Sequence, residues 1–163
     1  MRHSRGFTLI ELMITIVILA ILISLAVPSF NSVIQGNRTL TLTDELSTAI
    51  QLARSEALKR RKNVIICRSN AASTACEDGT DWSGGWQVRQ VSGDLIRVWD
   101  ATPSAAVTGP STGITFQSNG LRNGTGAEIF EVQVDGCKDS KKRVINVSVT
   151  GNATSSQSTC TPS

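Results

Sequence analysis

Tyrosine is absent from the 163 residues, and aromatic residues of every kind make up only 4%. Histidine occurs once, as His3. A lone histidine beside the N-terminus excludes most histidine-centred nucleophile–base triads and histidine-rich metal centres. Charge is also sparse, at 18% of residues, and Lys+Arg 16 against Asp+Glu 13 leaves a net +3. That excess is too mild to announce a nucleic-acid partner. Long hydrophobic runs are lacking with one exception, which argues against a multi-span membrane protein. Hydrophobic residues still reach 40%, enough for a core and too many for a disordered polar chain.

The exception runs from Phe7 to Val27, reading FTLIELMITIVILAILISLAV, with Glu11 as its single charge. An α-helix of that length spans about 31 Å, close to the thickness of a hydrocarbon core. Arg2 and Arg5 precede it, and positive charge on that side places the N-terminus in the cytoplasm. The rest of the chain is then expected across the membrane. A removable secretory signal is the alternative, with Ser24-Leu25-Ala26 imitating its cleavage site. The run is longer than the usual apolar region of such signals, which favours an uncleaved membrane helix. Glu11 is unusual in either. A carboxylate near the bilayer interior costs about 2.5–3.5 kcal/mol on insertion scales, so it needs a partner or a place at the headgroups. No cation lies within the run.

Past Pro28 the pattern turns amphipathic. Leu46, Ala49, Ile50, Ala53 and Ala57 recur at helical spacing. Glu56 and Arg60 form an i,i+4 pair in the better orientation. One long helix over about residues 7–61 is expected, half in lipid and half packed on a domain. Pro28 permits a kink, and Gly36 with its following threonines permits local melting. Lys59-Arg60-Arg61-Lys62 sits where that helix should end. Cations there complement the helix dipole, which explains the cluster better than nucleic acid does.

From Asn63 onward the period changes to strand alternation. Strands are expected at Val64–Cys67, Trp86–Val91, Leu95–Trp99, Ile114–Phe116, Ile129–Val134 and Val144–Val149. Ser92-Gly93-Asp94 makes a hairpin, Asn119-Gly120 marks a turn, and Thr102 to Gly113 reads as a loop. A helix laid on an antiparallel sheet is an α+β domain. Cys67, Cys76, Cys137 and Cys160 all lie in this part, and an oxidising compartment makes disulfides the expectation. Of the three pairings, Cys67–Cys76 and Cys137–Cys160 close loops of modest length and are favoured. The second would tie down a Ser/Thr-rich tail, Thr150 to Ser163, that would otherwise fray. Zinc is disfavoured, because there is no CxxC pair and no nearby histidine.

Gly6-Phe7-Thr8-Leu9-Ile10-Glu11, followed by the apolar stretch and Pro28, resembles the class III prepilin signal of type IV pilins and type II secretion pseudopilins. The resemblance implies cleavage between Gly6 and Phe7 by a prepilin peptidase and N-methylation of the new Phe7 amine. It also implies an assembly role for Glu11, paired in trans with the amine of a neighbouring subunit. Leu52-Ala53-Arg54-Ser55-Glu56-Ala57, the strand ending at Cys67, Asp81-Trp82-Ser83-Gly84-Gly85-Trp86, and Ile114-Thr115-Phe116 before Asn119-Gly120 are similar to the GspH/FimT family of minor pilins and pseudopilins. What this implies is a type IV pilin-like fold and a tip-proximal subunit that primes or caps a filament. Its partners are other pilins through the N-terminal helix, and no cofactor is implied. The tryptophans read as core.

One branch of that family, FimT of naturally transformable bacteria, resembles a DNA receptor and carries Gly-Arg-x-Arg near its C-terminus. The corresponding place here is Gly151-Asn152-Ala153-Thr154, which keeps the glycine and lacks both arginines. Lys138, Lys141, Lys142 and Arg143 remain as candidate phosphate contacts in the adjacent loop. A membrane-anchored enzyme would have to use Asp78, Asp81 or a Ser/Lys arrangement, and no spacing supports one. The expected organisation is a leader over 1–6, a transmembrane stem over 7–28 and a periplasmic α+β domain over 29–163. The destination is the bacterial inner membrane and then a pilus or pseudopilus fibre.

Overall fold

The computed structural model describes residues 7–137 and 142–160, without the side chains of 25–29, 31 and 32. Gly6, Lys138 and Lys141 therefore lie outside the described residues. One helix, α1 (Leu9–Arg60), precedes eight strands. The chain divides into two compact units after Ile34.

From Leu9 onward the first unit is helical. Its large apolar side chains, from Leu9 to Ile23, are all more than half exposed. Among the described residues no helix is long and apolar enough to cross a membrane.

In the second unit α1 buries Leu46, Ala49, Ile50, Ala53 and Ala57 completely. Thr39 and Thr43 extend that buried stripe by two turns. They tolerate burial because each hydroxyl donates to a carbonyl of its own helix, Thr39 to Gln35 at 3.0 Å and Thr43 to Thr39 at 2.6 Å. The helix stops at a left-handed residue, Arg61, with φ 52°. The Lys62 amide then reaches back to the Ala57 carbonyl at 3.3 Å, the six-to-one bond of a Schellman ending.

Two antiparallel sheets follow, where the sequence reading expects one. The first has order β3-β2-β1-β5, built from β1 (Val64–Arg68), β2 (Trp86–Gln90), β3 (Leu95–Trp99) and β5 (Ile114–Phe116). The second has order β4-β6-β7-β8, built from β4 (Ala105–Thr108), β6 (Glu128–Val134), β7 (Lys142–Val147) and β8 (Ala153–Ser158). Two of these strands depart from expectation. β4 lies inside the stretch read as a loop, and β8 lies inside the tail expected to fray without its disulfide. Both are recruited by pairing, β4 along β6 and β8 along β7.

The core joins the helix stripe to both sheets through Val64, Ile66, Val88, Phe116, Phe130 and Ile145. Trp82 and Trp86 are fully buried. Trp82 meets Phe130 edge-on at 4.9 Å, and its indole N–H donates to the Pro110 carbonyl at 3.2 Å. Gly109 lets this pair close, because a Cβ there would stand 2.5 Å from the Phe130 ring. The segment through Trp82 also seals the free edge of β4. The Trp82 amide donates to Val107 O at 2.7 Å, the Gly109 amide to Thr80 O at 3.0 Å, and the Val107 amide to the Ser83 hydroxyl at 3.0 Å.

Candidate assembly site

The stem opens on a mutual cap. Thr8 precedes the helix, and its Oγ1 accepts the Glu11 amide at 3.3 Å. In return the Thr8 amide and hydroxyl both face Glu11 Oε2 at 3.5 Å. This is the Thr-x-x-Glu capping box, in which two orphan helix donors are satisfied reciprocally. The long distances leave the carboxylate loosely held and exposed. Sequence reasoning takes Glu11 as partnerless inside the chain and overlooks Thr8. The signal was present, since Thr-x-x-Glu directly before an apolar run marks a helix start. Phe7 lies at the head of this turn, 74% exposed.

Around Glu11 the surface is continuously apolar, with Leu9, Ile10, Leu12 and Met13 all exposed. A contiguous exposed apolar surface of this kind marks a membrane or protein contact. The arrangement offers apolar packing and one carboxylate for an ionic contact.

Two of the four cations in the basic cluster at the end of α1 are paired within the chain. Glu56 is ion-paired with Arg60 and, at 3.7 Å, with Lys59. The hydrogen bond from Arg60 holds the Glu56 carboxyl below its ordinary value, aided by the nearby positive charges. These cations sit in the last helical turn, where the dipole favours them.

Of the four candidate phosphate contacts, Lys138 and Lys141 lie outside the described residues. Lys142, expected in a loop, lies in β7 instead. Its side chain is 7% exposed, and its Nζ is bound to Glu131 at 2.8 Å, so it is spent inside the sheet. Arg143 sits mid-ladder, opposite Val132 and Gln157. Gly151 turns the chain with φ +78°, a conformation side chains rarely adopt, and an added Cβ would stand 3.0 Å from Arg54 and Phe116. Its place is explained by the hairpin between β7 and β8.

All four cysteines are bonded, Cys67 to Cys76 and Cys137 to Cys160. Among the described residues no three His, Cys, Asp or Glu side chains gather as a metal site would require. Asp81 accepts the Ser83 amide at 2.9 Å, and the hydrogen bonds from Ser83 hold its carboxyl below the usual range. It shapes the turn entering Trp82. Asp78 is exposed and contributes its backbone carbonyl to Arg68 at 3.2 Å.

An exposed apolar stem that opens on one carboxylate, and a disulfide-stapled head of one helix on antiparallel sheets, together define a pilin-class filament subunit. The model of the family described as Type II transport protein GspH matches residues 42–151, and the chain belongs to that family. It is accordingly a minor pilin or pseudopilin of a type IV pilus or type II secretion system. Residues 1–27 match the prokaryotic N-terminal methylation motif.

Relatives agree. The type IV major alpha-pilin of Moraxella bovis is 34% identical over 73 residues, and the match spans 45% of each chain. Two crystal forms of the type IV minor pilin FimU of Pseudomonas aeruginosa share the fold. One is 23% identical with TM-score 0.56, covering 72% of this chain and 91% of that one. The other is 24% identical with TM-score 0.58, covering 72% and 87%.

Proposed function

We propose that this chain is an assembly subunit held in the bacterial inner membrane by residues 7–28, with the leader 1–6 cytoplasmic and the domain 29–163 periplasmic. In this reading a prepilin peptidase cuts between Gly6 and Phe7, and the freed Phe7 amine is N-methylated. Glu11 then pairs with the amine of a neighbouring subunit, neutralising both charges in a low-dielectric setting and setting the axial register of helix on helix. The subunit enters the fibre near its tip, where it primes or caps assembly with other pilins or pseudopilins. Its work is structural rather than catalytic.

The observation that carries this reading is the apolar stem with a single loosely capped carboxylate at its start. The Thr8–Glu11 contacts are long enough to yield to an ammonium without unfolding the first turn. Two variants test it. Gly6 replaced by a bulky residue should leave the leader attached, and a mature mass equal to wild type would count against processing. Glu11→Leu should insert into the membrane normally while its incorporation into filaments falls at least tenfold. Wild-type incorporation of Glu11→Leu would defeat the pairing.

A further inference from the structure

The two sheets have four edge strands, and their edges are treated differently. That of β4 is covered by Thr80–Ser83, as described. The edge of β5 is covered by the turn that follows it, through Asn123 N–H to Thr115 O at 2.8 Å and the Phe116–Arg122 bridge. β3 is guarded by chemistry. It carries a cation, Arg97, stacked 4.7 Å over Trp99, and its register with β2 is irregular at Val88/Arg89. Charges and bulges are the usual protections of a sheet edge. Among the described residues β8 has none of these. Its sequence, Ala153-Thr154-Ser155-Ser156-Gln157-Ser158, holds no charge and no proline, and it pairs in unbroken register with β7 alone.

The hairpin fixes which backbone groups of β8 are free. The Ser148 amide donates to Asn152 O at 3.0 Å, closing the turn. Antiparallel pairs then alternate between bonded and non-bonded. Thr154, Ser156 and Ser158 therefore point their amides and carbonyls at β7. Ala153, Ser155 and Gln157 point theirs outward. The strand contributes little to the core, with its four middle residues exposed, yet its far end is covalently held by Cys137–Cys160. A polar strand held in place by a staple is a preorganised row of donors and acceptors.

We propose that the outer edge of β8 receives an extended, uncharged backbone segment of a neighbouring pilin-type subunit, which continues the second sheet. This rests on the filament-subunit reading above. The small hydroxyl and amide side chains of β8 offer no pocket and no charge, so recognition falls to main-chain hydrogen bonds, as in strand addition generally. A second copy of this chain is a poorer occupant. Pairing β8 with its own image requires a two-fold axis, whereas successive subunits of a fibre are related by a screw repeat built from heterologous contacts. The contact is thus heterologous.

The test uses the full chain in its native cells, with a photo-cross-linking amino acid in place of Gln157. Irradiation should give an adduct with another subunit that carries a prepilin signal. Ser155→Pro deletes an outward amide and should lower that adduct and filament incorporation at least tenfold, with the melting temperature nearly unchanged. Ser155→Lys, which keeps the amide and adds an edge charge, should weaken both in the same direction. Ser156→Pro deletes an inward amide and should lower the melting temperature. Wild-type incorporation of Ser155→Pro and Ser155→Lys would overturn the proposal, as would an adduct formed only with a second copy. If the wild-type chain is itself missing from filaments, the functional reading falls as well. If it is present and the Ser155 variants match it, only the edge proposal falls.

Discussion

Asp81 looks at first like a spare acid in an otherwise poorly equipped chain, and its surroundings show another use. Its carboxylate accepts the Ser83 amide and thereby shapes the turn that brings Trp82 to Phe130. Because the folded pKa is depressed below the ordinary 3.8, chiefly by those hydrogen bonds, the sign of the pH effect follows. The stabilisation is complete above the unfolded value and disappears as pH falls through the folded one. Glu56, depressed by Arg60, acts in the same direction. Urea midpoints measured from pH 7 downward should be flat to about pH 5 and then fall. Asp81→Asn should start less stable and show a shallower acid limb; an acid limb as steep as wild type would contradict the assignment.

Elements tell how far the pattern of residues could be followed. The helix is expected over 7–61 and occupies Leu9–Arg60, because its apolar period and its cationic last turn are both local signals. Six strands are legible from alternation, since each places branched or aromatic residues such as Val64, Ile66, Trp86 and Val88 on one face. β4 offers one fully buried apolar residue, Val107, and β8 offers none. Their strand character comes from the ladder beside them, which a local pattern does not contain. The division into two sheets is likewise a matter of distant pairing. At the site, the cysteine pairs were legible from their spacing, whereas the pairing of Lys142 with Glu131 depends on a cross-strand neighbour. The helix end supplies a prediction. Arg61 occupies a left-handed position that glycine fills without steric cost. Arg61→Gly should raise stability by about 0.5–1 kcal/mol, read as a higher urea midpoint at constant slope. A lower midpoint would mean that the lost cation outweighs the relieved strain.

At the scale of the whole molecule, a chain with only 4% aromatic residues supplements the core of its head with covalent closure. Replacing Cys137 and Cys160 together by serine should cost about 3 kcal/mol, the loop-closure value for a separation of this order. The loss should be local first. Limited proteolysis is expected to cut near β8 before the helix and the first sheet are touched, because β8 has so little buried surface of its own. Cleavage beginning instead at β1 or β2 would show that the staple serves the core rather than the edge.

The two disulfides also differ in place. Cys67–Cys76 closes on the first sheet and Cys137–Cys160 on the second, and no disulfide joins one sheet to the other. Between the sheets there are main-chain bonds at Thr80–Ser83, the Arg122 amide bound to Val149 O at 2.9 Å, and the shared core. The head is therefore expected to yield under a pulling force by shear between its sheets, while the two disulfides keep their own loops of the chain closed.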